Sequence, residues 1–162
     1  MAGAADLEPV AALFLACWRR SYRPFLPQPI IDAFDEDSAL ELWRGTITDP
    51  PAGATVLVAD HDELGVVGVI RLGSDPDEPA AGHVFSLYVH PDGQGLGIGQ
   101  ALLREADAHL RRGRRASATL WVFAANEHAL GFYERMGWHP DGATRIEPAY
   151  GEPELRLRRD LR

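Results

Sequence analysis

Apolar positions early in the chain recur with a helical period. Val10, Leu13, Phe14, Cys17 and Trp18 fall at the i, i+3, i+4, i+7, i+8 spacing of one buried face. This predicts a helix from Leu7 to Arg20, with Asp6 as N-cap and Pro9 in the first turn. The stretch Ser21 to Pro29 carries three prolines, so it cannot continue that helix, yet it holds Tyr22 and Phe25. A second helix is predicted from Ser38 to Ile47, capped by Asp37, with Leu40, Trp43 and Ile47 on one face.

From Thr55 the period changes to that of strands. Thr55 to Ala59 and Val66 to Leu72 are apolar and β-branched, and His61-Asp62-Glu63 turns one back on the other as a hairpin. His83 to Val89 is a further strand, stopped by Pro91, Asp92 and Gly93. Gly95, Gly97 and Gly99 then alternate with Leu96 and Ile98. At Gln100 a helix begins, with Ala101, Leu102, Ala106 and Leu110 as its buried face and Gly113 at its end. Ser117 to Phe123 reads as a strand and Asn126 to Met136 as a short helix stopped by Gly137. Glu154 to Arg158 alternates as a half-solvated strand. Helices first, then a hairpin, then alternating strands and helices predict an α/β (α+β) fold with a mixed sheet flanked by helices.

Composition narrows the class. With 162 residues and 46% apolar content, residues 1–162 read as one domain with its own core. A net charge of −8 argues against nucleic acid and anionic membrane as partners and suits an amine substrate. The basic residues are all arginine. Cys17 stands alone in an apolar helical run, which reads as a buried, inert thiol, and the expected compartment is the reducing cytoplasm. Asp6 and Glu8 stand where a secretory leader needs positive charge, and no run approaches the ~20 apolar residues of a membrane span. His61, His90, His109, His128 and His139 lack paired ligand spacing, so no metal site is expected.

A strand, a glycine-rich turn and a helix start together make an anion site, because backbone N–H groups converge there at the positive end of a helix dipole. Two common phosphate motifs fail. The dinucleotide pattern G-x-G-x-x-G would need glycine at Ile98 or Gln100, and the P-loop needs a lysine that the chain does not contain. What remains is Gln94-x-x-Gly97-x-Gly99 after a strand end. It resembles the Q/R-x-x-G-x-G/A signature of the GNAT superfamily of acyl-CoA-dependent N-acetyltransferases. A second stretch, Asn126-x-x-Ala129-x-x-Phe132-Tyr133-x-x-x-Gly137-Trp138, is similar to that family's N-x-x-A-x-x-F-Y-x-x-x-G-F/W. The resemblance covers Thr55 to Leu161 and, by position, the N-terminal helices. Members usually open with a strand, which here is shortened or absent.

The resemblance implies a mostly antiparallel twisted sheet and transfer of an acetyl group from acetyl-CoA to a primary amine of a small molecule or peptide. The transfer runs by direct attack in a ternary complex, with acetyl-CoA as co-substrate and no metal; a homodimer is an allowed assembly. It assigns the backbone of Leu87, Tyr88 and Val89 to the thioester and pantetheine. The turn of Gln94, Gly95, Leu96, Gly97, Ile98, Gly99 and Gln100 goes to the pyrophosphate, and Asn126 and Tyr133 to the pantetheine and thiol end. Tyr133 is also the donor to the departing thiolate. Relatives carry a basic glutamate where this chain has His83 or Trp121. His83 has a suitable unperturbed pKa near 6.5, and a strand-end histidine with no catalytic part is the competing reading. Trp18, Tyr22, Phe25 and Trp43 are implied walls of the acceptor site, with Asp32, Asp35, Glu36 and Asp37 as attractors for a cation. The alternative function is a non-catalytic acyl-CoA-binding sensor or structural module.

Overall fold

A computed structural model describes every residue except Phe25, so that proposed acceptor contact lies outside the described residues. The chain runs as a short 3-10 turn, then α1 (Leu7–Ser21), α2 (Gln28–Asp32), α3 (Glu36–Thr48), β1 (Thr55–His61), β2 (Gly65–Ser74) and β3 (Gly82–Val89). After these come α4 (Ile98–Arg112), β4 (Ser117–Phe123), α5 (Glu127–Arg135), β5 (His139–Ile146) and β6 (Pro153–Asp160). Among the described residues no helix is long and apolar enough to cross a membrane.

Several boundaries differ from the sequence reading. Asp6 stands at the N-cap position of α1 as expected, but its carboxylate makes no capping bond there; it accepts the Gly3 N–H at 2.8 Å and closes the 3-10 turn. α3 starts earlier than expected because Asp35, not Asp37, is its N-cap: Oδ1 accepts the Ser38 N–H at 2.9 Å. The proline-rich stretch regains one helical turn at Gln28, since Pro29 falls in the first turn, where a missing N–H costs nothing. On α4 the buried face includes Leu103, whereas Ala101 is exposed.

The six strands form one sheet in the order β1-β2-β3-β4-β6-β5. Every neighbouring pair is antiparallel except β3 and β4. No strand precedes α1 among the described residues; a single bond from the Ala2 N–H to the Val56 carbonyl, 2.8 Å, touches the β1 edge. α1, α2 and α3 cover one face through Val10, Leu13, Phe14, Trp18, Ile31 and Trp43. α4 and α5 cover the other through Leu102, Leu103, Ala106, Leu110 and Tyr133. Each fully buried large apolar side chain contributes roughly 1.5–3 kcal/mol.

Two features of β3 shape the centre. First, its parallel pairing to β4 covers only Gly82 to Val84, against Ala118 to Leu120, although both strands run on. Second, Arg71 pairs with Ser86 while Leu72 pairs with Val84, so Phe85 is an extra, bulged residue. A bulge breaks the two-residue alternation. Val84 and Leu87 therefore both pack toward α4 and α5, while Tyr88 turns to Phe14 and Trp43.

Candidate active site

Where β3 and β4 part, they bound a cleft of about 630 Å³. Its lining includes His83, Ser86 to Tyr88, Trp121, Asn126 and Tyr133, with Trp18 and Tyr22 arriving from α1 and the turn after it. Past Val84 the β3 backbone has no strand partner on its β4 side among the described residues, which leaves ladder groups on that edge unpaired, while the Val89 carbonyl accepts the Cys17 thiol.

Beyond the strand, the turn into α4 is built as expected for an anion cradle. Gly95 and Gly97 have φ of +82° and +79°, the left-handed region that favours glycine, and Gly97 is the N-cap of α4. Gly99 serves packing instead: a Cβ there would lie 3.2 Å from the Phe132 ring of α5. The first helical bond of α4 runs from Ala101 N–H to the Gly97 carbonyl. Among the described residues the N–H groups of Gly95, Gly97, Ile98, Gly99 and Gln100 have no acceptor. Those of Gln94 and Leu96 are engaged, each at 3.4 Å, with Pro91 and Gly93 carbonyls, so they are the weaker candidates in the cradle.

α5 carries the other side of the cleft. Asn126 is its N-cap, with Oδ1 accepting the Ala129 N–H at 3.1 Å. Tyr133 lies further along the helix, buried beside Phe132 and Trp138. Its hydroxyl has no hydrogen-bond partner among the described residues and the side chain lines the cleft. Burial pushes the phenol well above its ordinary pKa, so it stays protonated as a donor.

His83 is buried on the cleft wall, its ring edge-on to Phe85. Its Nδ1 is 2.7 Å from the Thr119 hydroxyl and 3.4 Å from Asp75 Oδ2. Thr119 donates to Asp75, whose other oxygen accepts the N–H groups of Asp77 and Glu78 at 2.8 and 2.9 Å. A hydroxyl has one proton, and the carboxylate takes it. The Thr119 oxygen must then accept from Nδ1–H, which assigns the lone pair to Nε2. Nε2 has no protein partner among the described residues. Burial holds the imidazole pKa below its usual value, opposed by Asp75 and assisted by Arg145 and Arg156. Asp75 is itself buried, which raises its carboxyl, but the hydrogen bonds from Thr119, Glu78 and Asp77 outweigh this and keep it low.

One wall of the cleft is aromatic. Trp18 stacks near Tyr22 and Tyr150, and the Tyr22 and Tyr88 phenols are hydrogen-bonded to each other. Tyr88, expected to act through its backbone, thus also adds its side chain to this wall. Cys17 lies beneath, buried, its thiol donating to the Val89 carbonyl at 3.1 Å and its pKa pushed up to about 12 by burial. The acidic residues nominated from sequence lie elsewhere: Asp35 caps α3, Asp32 accepts from Gln28, and Glu36 and Asp37 are exposed. Glu147 and Glu154 line the cleft instead, both bonded to Arg145 at 3.2 and 2.6 Å. Burial raises the Glu154 carboxyl, with Arg145 pulling the other way. Arg145 also stacks over Trp121, 4.4 Å from its ring centre. Sequence reasoning missed Asp75, Thr119, Glu147, Tyr150 and Glu154, since no local motif marks them. Among the described residues no cluster of His, Cys, Asp and Glu could hold a metal ion.

A mixed sheet opened between two parallel strands, with a glycine turn at one end and a buried tyrosine at the other, is the arrangement that the resemblance in sequence implies. The chain belongs to the acetyltransferase (GNAT) family, whose profile matches residues 11–138. It is 30% identical to a probable N-acetyltransferase of Mycobacterium tuberculosis over 146 residues, 86% of this chain and 78% of that protein. It is 35% identical to mycothiol acetyltransferase of Kocuria rhizophila over 98 residues, 56% of this chain. That match spans 32% of the Kocuria protein, about a third of its length. In fold, the chain is similar to PaiA N-acetyltransferase of Thermoplasma acidophilum, solved with coenzyme A. The TM-score is 0.75 at 17% identity, covering 98% of this chain and 95% of that one.

Proposed function

We propose that residues 1–162 form one N-acetyltransferase domain that moves an acetyl group from acetyl-CoA to a primary amine of a small molecule or peptide. The observation that carries this reading is a single cleft, open along unpaired β3 backbone, into which an unpartnered tyrosine and an oriented histidine both face. The residues fit the co-substrate. The free N–H groups around Gly97 would hold its pyrophosphate at the α4 N-terminus. Leu87 to Val89 would hold the pantetheine and thioester, with Asn126 beside them.

In the ternary complex His83 Nε2 takes a proton from the acceptor ammonium, and the freed amine attacks the thioester carbon. The carbon–sulfur bond then breaks. The departing thiolate receives the hydrogen bond, and then the proton, of Tyr133; the nitrogen loses two protons between ammonium and amide, the first passing through His83 to solvent and the second taken by His83 from the tetrahedral adduct, so overall one proton ends on sulfur and one is released. Burial of the phenol disfavours a lasting tyrosinate, so the proton is restored from solvent as products leave. A non-catalytic acyl-CoA sensor would need neither an oriented base nor a free phenol.

The test is CoA release from acetyl-CoA across a panel of primary amines, beside calorimetric acetyl-CoA binding. Acetyl-CoA binding with release for at least one amine is expected. No binding overturns the reading, and binding without release for any amine returns it to the sensor.

A further inference from the structure

Arg71 sits in β2 opposite Ser86, next to the Phe85 bulge. It differs from the other arginines near the sheet centre. Arg145, Arg156, Arg158 and Arg159 each face a carboxylate, whereas Arg71 has no ion pair among the described residues, which include every Asp and Glu of the chain. Its guanidinium carbon lies over the Phe85 ring, 4.7 Å from the ring centre, a contact that satisfies none of its N–H donors with a hydrogen bond. Arg71 Nε is buried with no hydrogen-bond partner, and so is Nε1 of Trp43, a side chain only 3% exposed. Both residues line one recess of about 170 Å³, and Phe14, Leu42, Phe85, Ser86 and Tyr88 are common to this recess and the main cleft.

The Arg71 guanidinium, a half-buried cation, and the Trp43 indole border the same small, largely apolar space, and each carries a donor without a partner among the described residues. Burying an unpaired guanidinium or indole N–H costs free energy that an oxyanion would recover, and guanidinium matches carboxylate and phosphonate oxygens with paired bonds. We propose that this recess is an anion subsite for the acceptor. The substrate is then an amine that also carries an oxyanion group, held by Arg71 and Trp43, with its apolar part against Phe14, Leu42 and Phe85. The Phe85 ring centre is 4.7 Å from the Arg71 guanidinium and 4.7 Å from the His83 ring, so the anchor and the base flank one ring. The use of the subsite in catalysis rests on the acetyl-transfer reading above; the subsite itself is testable without turnover.

The binding test uses nitrogen-15-labelled full-length protein with CoA present, following the Arg71 Nε–H and Trp43 Nε1–H resonances. The probes are 4-methylvalerate, isobutylphosphonate and the neutral 4-methylvaleramide. Saturable shifts of both resonances with either anion, absent with the amide, are expected; Arg71→Gln should abolish the Trp43 shift. The inference is overturned if neither anion moves them or if the amide moves them equally. The kinetic test compares amino acids and short peptides with their C-terminal amides. For the acids Arg71→Gln should lower kcat/KM at least tenfold, through KM, and leave the amides within twofold. An equal loss on acids and amides counts against the subsite. Wild-type protein that transfers acetyl to no amine would defeat the acetyl-transfer reading, while the resonance titration still decides the subsite.

Discussion

His83 Nδ1 lies 2.7 Å from the hydroxyl oxygen of Thr119, and the proton of that hydroxyl is committed to Asp75. Direction is therefore imposed on the imidazole from two side chains away. Asp75→Asn should reverse it. The amide oxygen keeps the Asp77 and Glu78 N–H groups, so the amide nitrogen faces Thr119 and donates. Thr119 must then donate to Nδ1, and the proton moves to Nε2, the atom needed as base. Imidazole nitrogen-15 shifts should report Nδ1–H in the wild type and Nε2–H in the variant. Turnover should fall about 10²-fold, within the range of general base catalysis, with acetyl-CoA affinity retained. Thr119→Ser should keep the wild-type pattern. A variant that keeps the Nδ1–H tautomer removes Asp75 from this role.

The pH dependence follows from the same group. Burial sets the His83 pKa below 6.5, with Asp75 raising it and Arg145 and Arg156 lowering it further. The neutral imidazole is the active form, so activity should be full above that pKa and fall as the pH drops through it. The acidic limb of kcat should have its midpoint below 6.5 and vanish in His83→Ala, whose remaining rate is lower at neutral pH. Wild-type rates in the variant from pH 6 to 9 would mean the amine loses its proton by another route.

Tyr133→Phe keeps the ring beside Phe132 and Trp138 and deletes a hydroxyl that has no protein partner among the described residues. Thermal stability and calorimetric CoA affinity should barely change. Turnover should drop at least tenfold when chemistry limits the rate. Unchanged single-turnover kinetics would make Tyr133 a packing residue.

The glycines of the turn should fail in different ways. Gly97→Ala places a Cβ on left-handed backbone, a strain of roughly 1–2 kcal/mol, and should weaken CoA binding by distorting the cradle. Gly97→Glu adds a negative charge in the same place and should abolish it. Gly99→Ala instead presses on Phe132, so a lower melting temperature is expected before any loss of affinity. Calorimetry beside thermal melts separates the two. Full CoA affinity in a folded Gly97→Glu protein would place the pyrophosphate elsewhere.

The glycine turn and the α5 cap were legible because they are local. Gln94 to Gln100 and Asn126 to Tyr133 are continuous stretches whose turn and helix chemistry shows in residue order, and the Asn126 cap lies where the pattern put it. The acceptor side depends on distant pieces. Asp75 and Thr119 meet His83 only because a loop folds onto the paired start of β3 and β4, and Glu147 and Glu154 reach the cleft only once β6 docks on β4. The bulge at Phe85 hides a further part, since strict alternation puts Val84 and Leu87 on opposite faces. Asp37, read as the cap of α3, lies inside its first turn, where Asp35 accepts the Ser38 N–H instead.

The short β3–β4 pairing has a mechanical meaning. Among the described residues, Gly82 to Val84 and Ala118 to Leu120 are the only rungs that join the β1-β2-β3 wing to the β4-β6-β5 wing within the sheet. A pantetheine arm threaded beyond these would supply backbone-like rungs to a sheet that lacks them, acting as a removable splint between the two wings. Occupancy should therefore slow amide exchange along β4 and β6 as well as at the contact residues, and raise the melting temperature with ligand concentration. On the proposed reading, the sheet would be completed by its own co-substrate at each turnover and loosened again when the spent carrier departs.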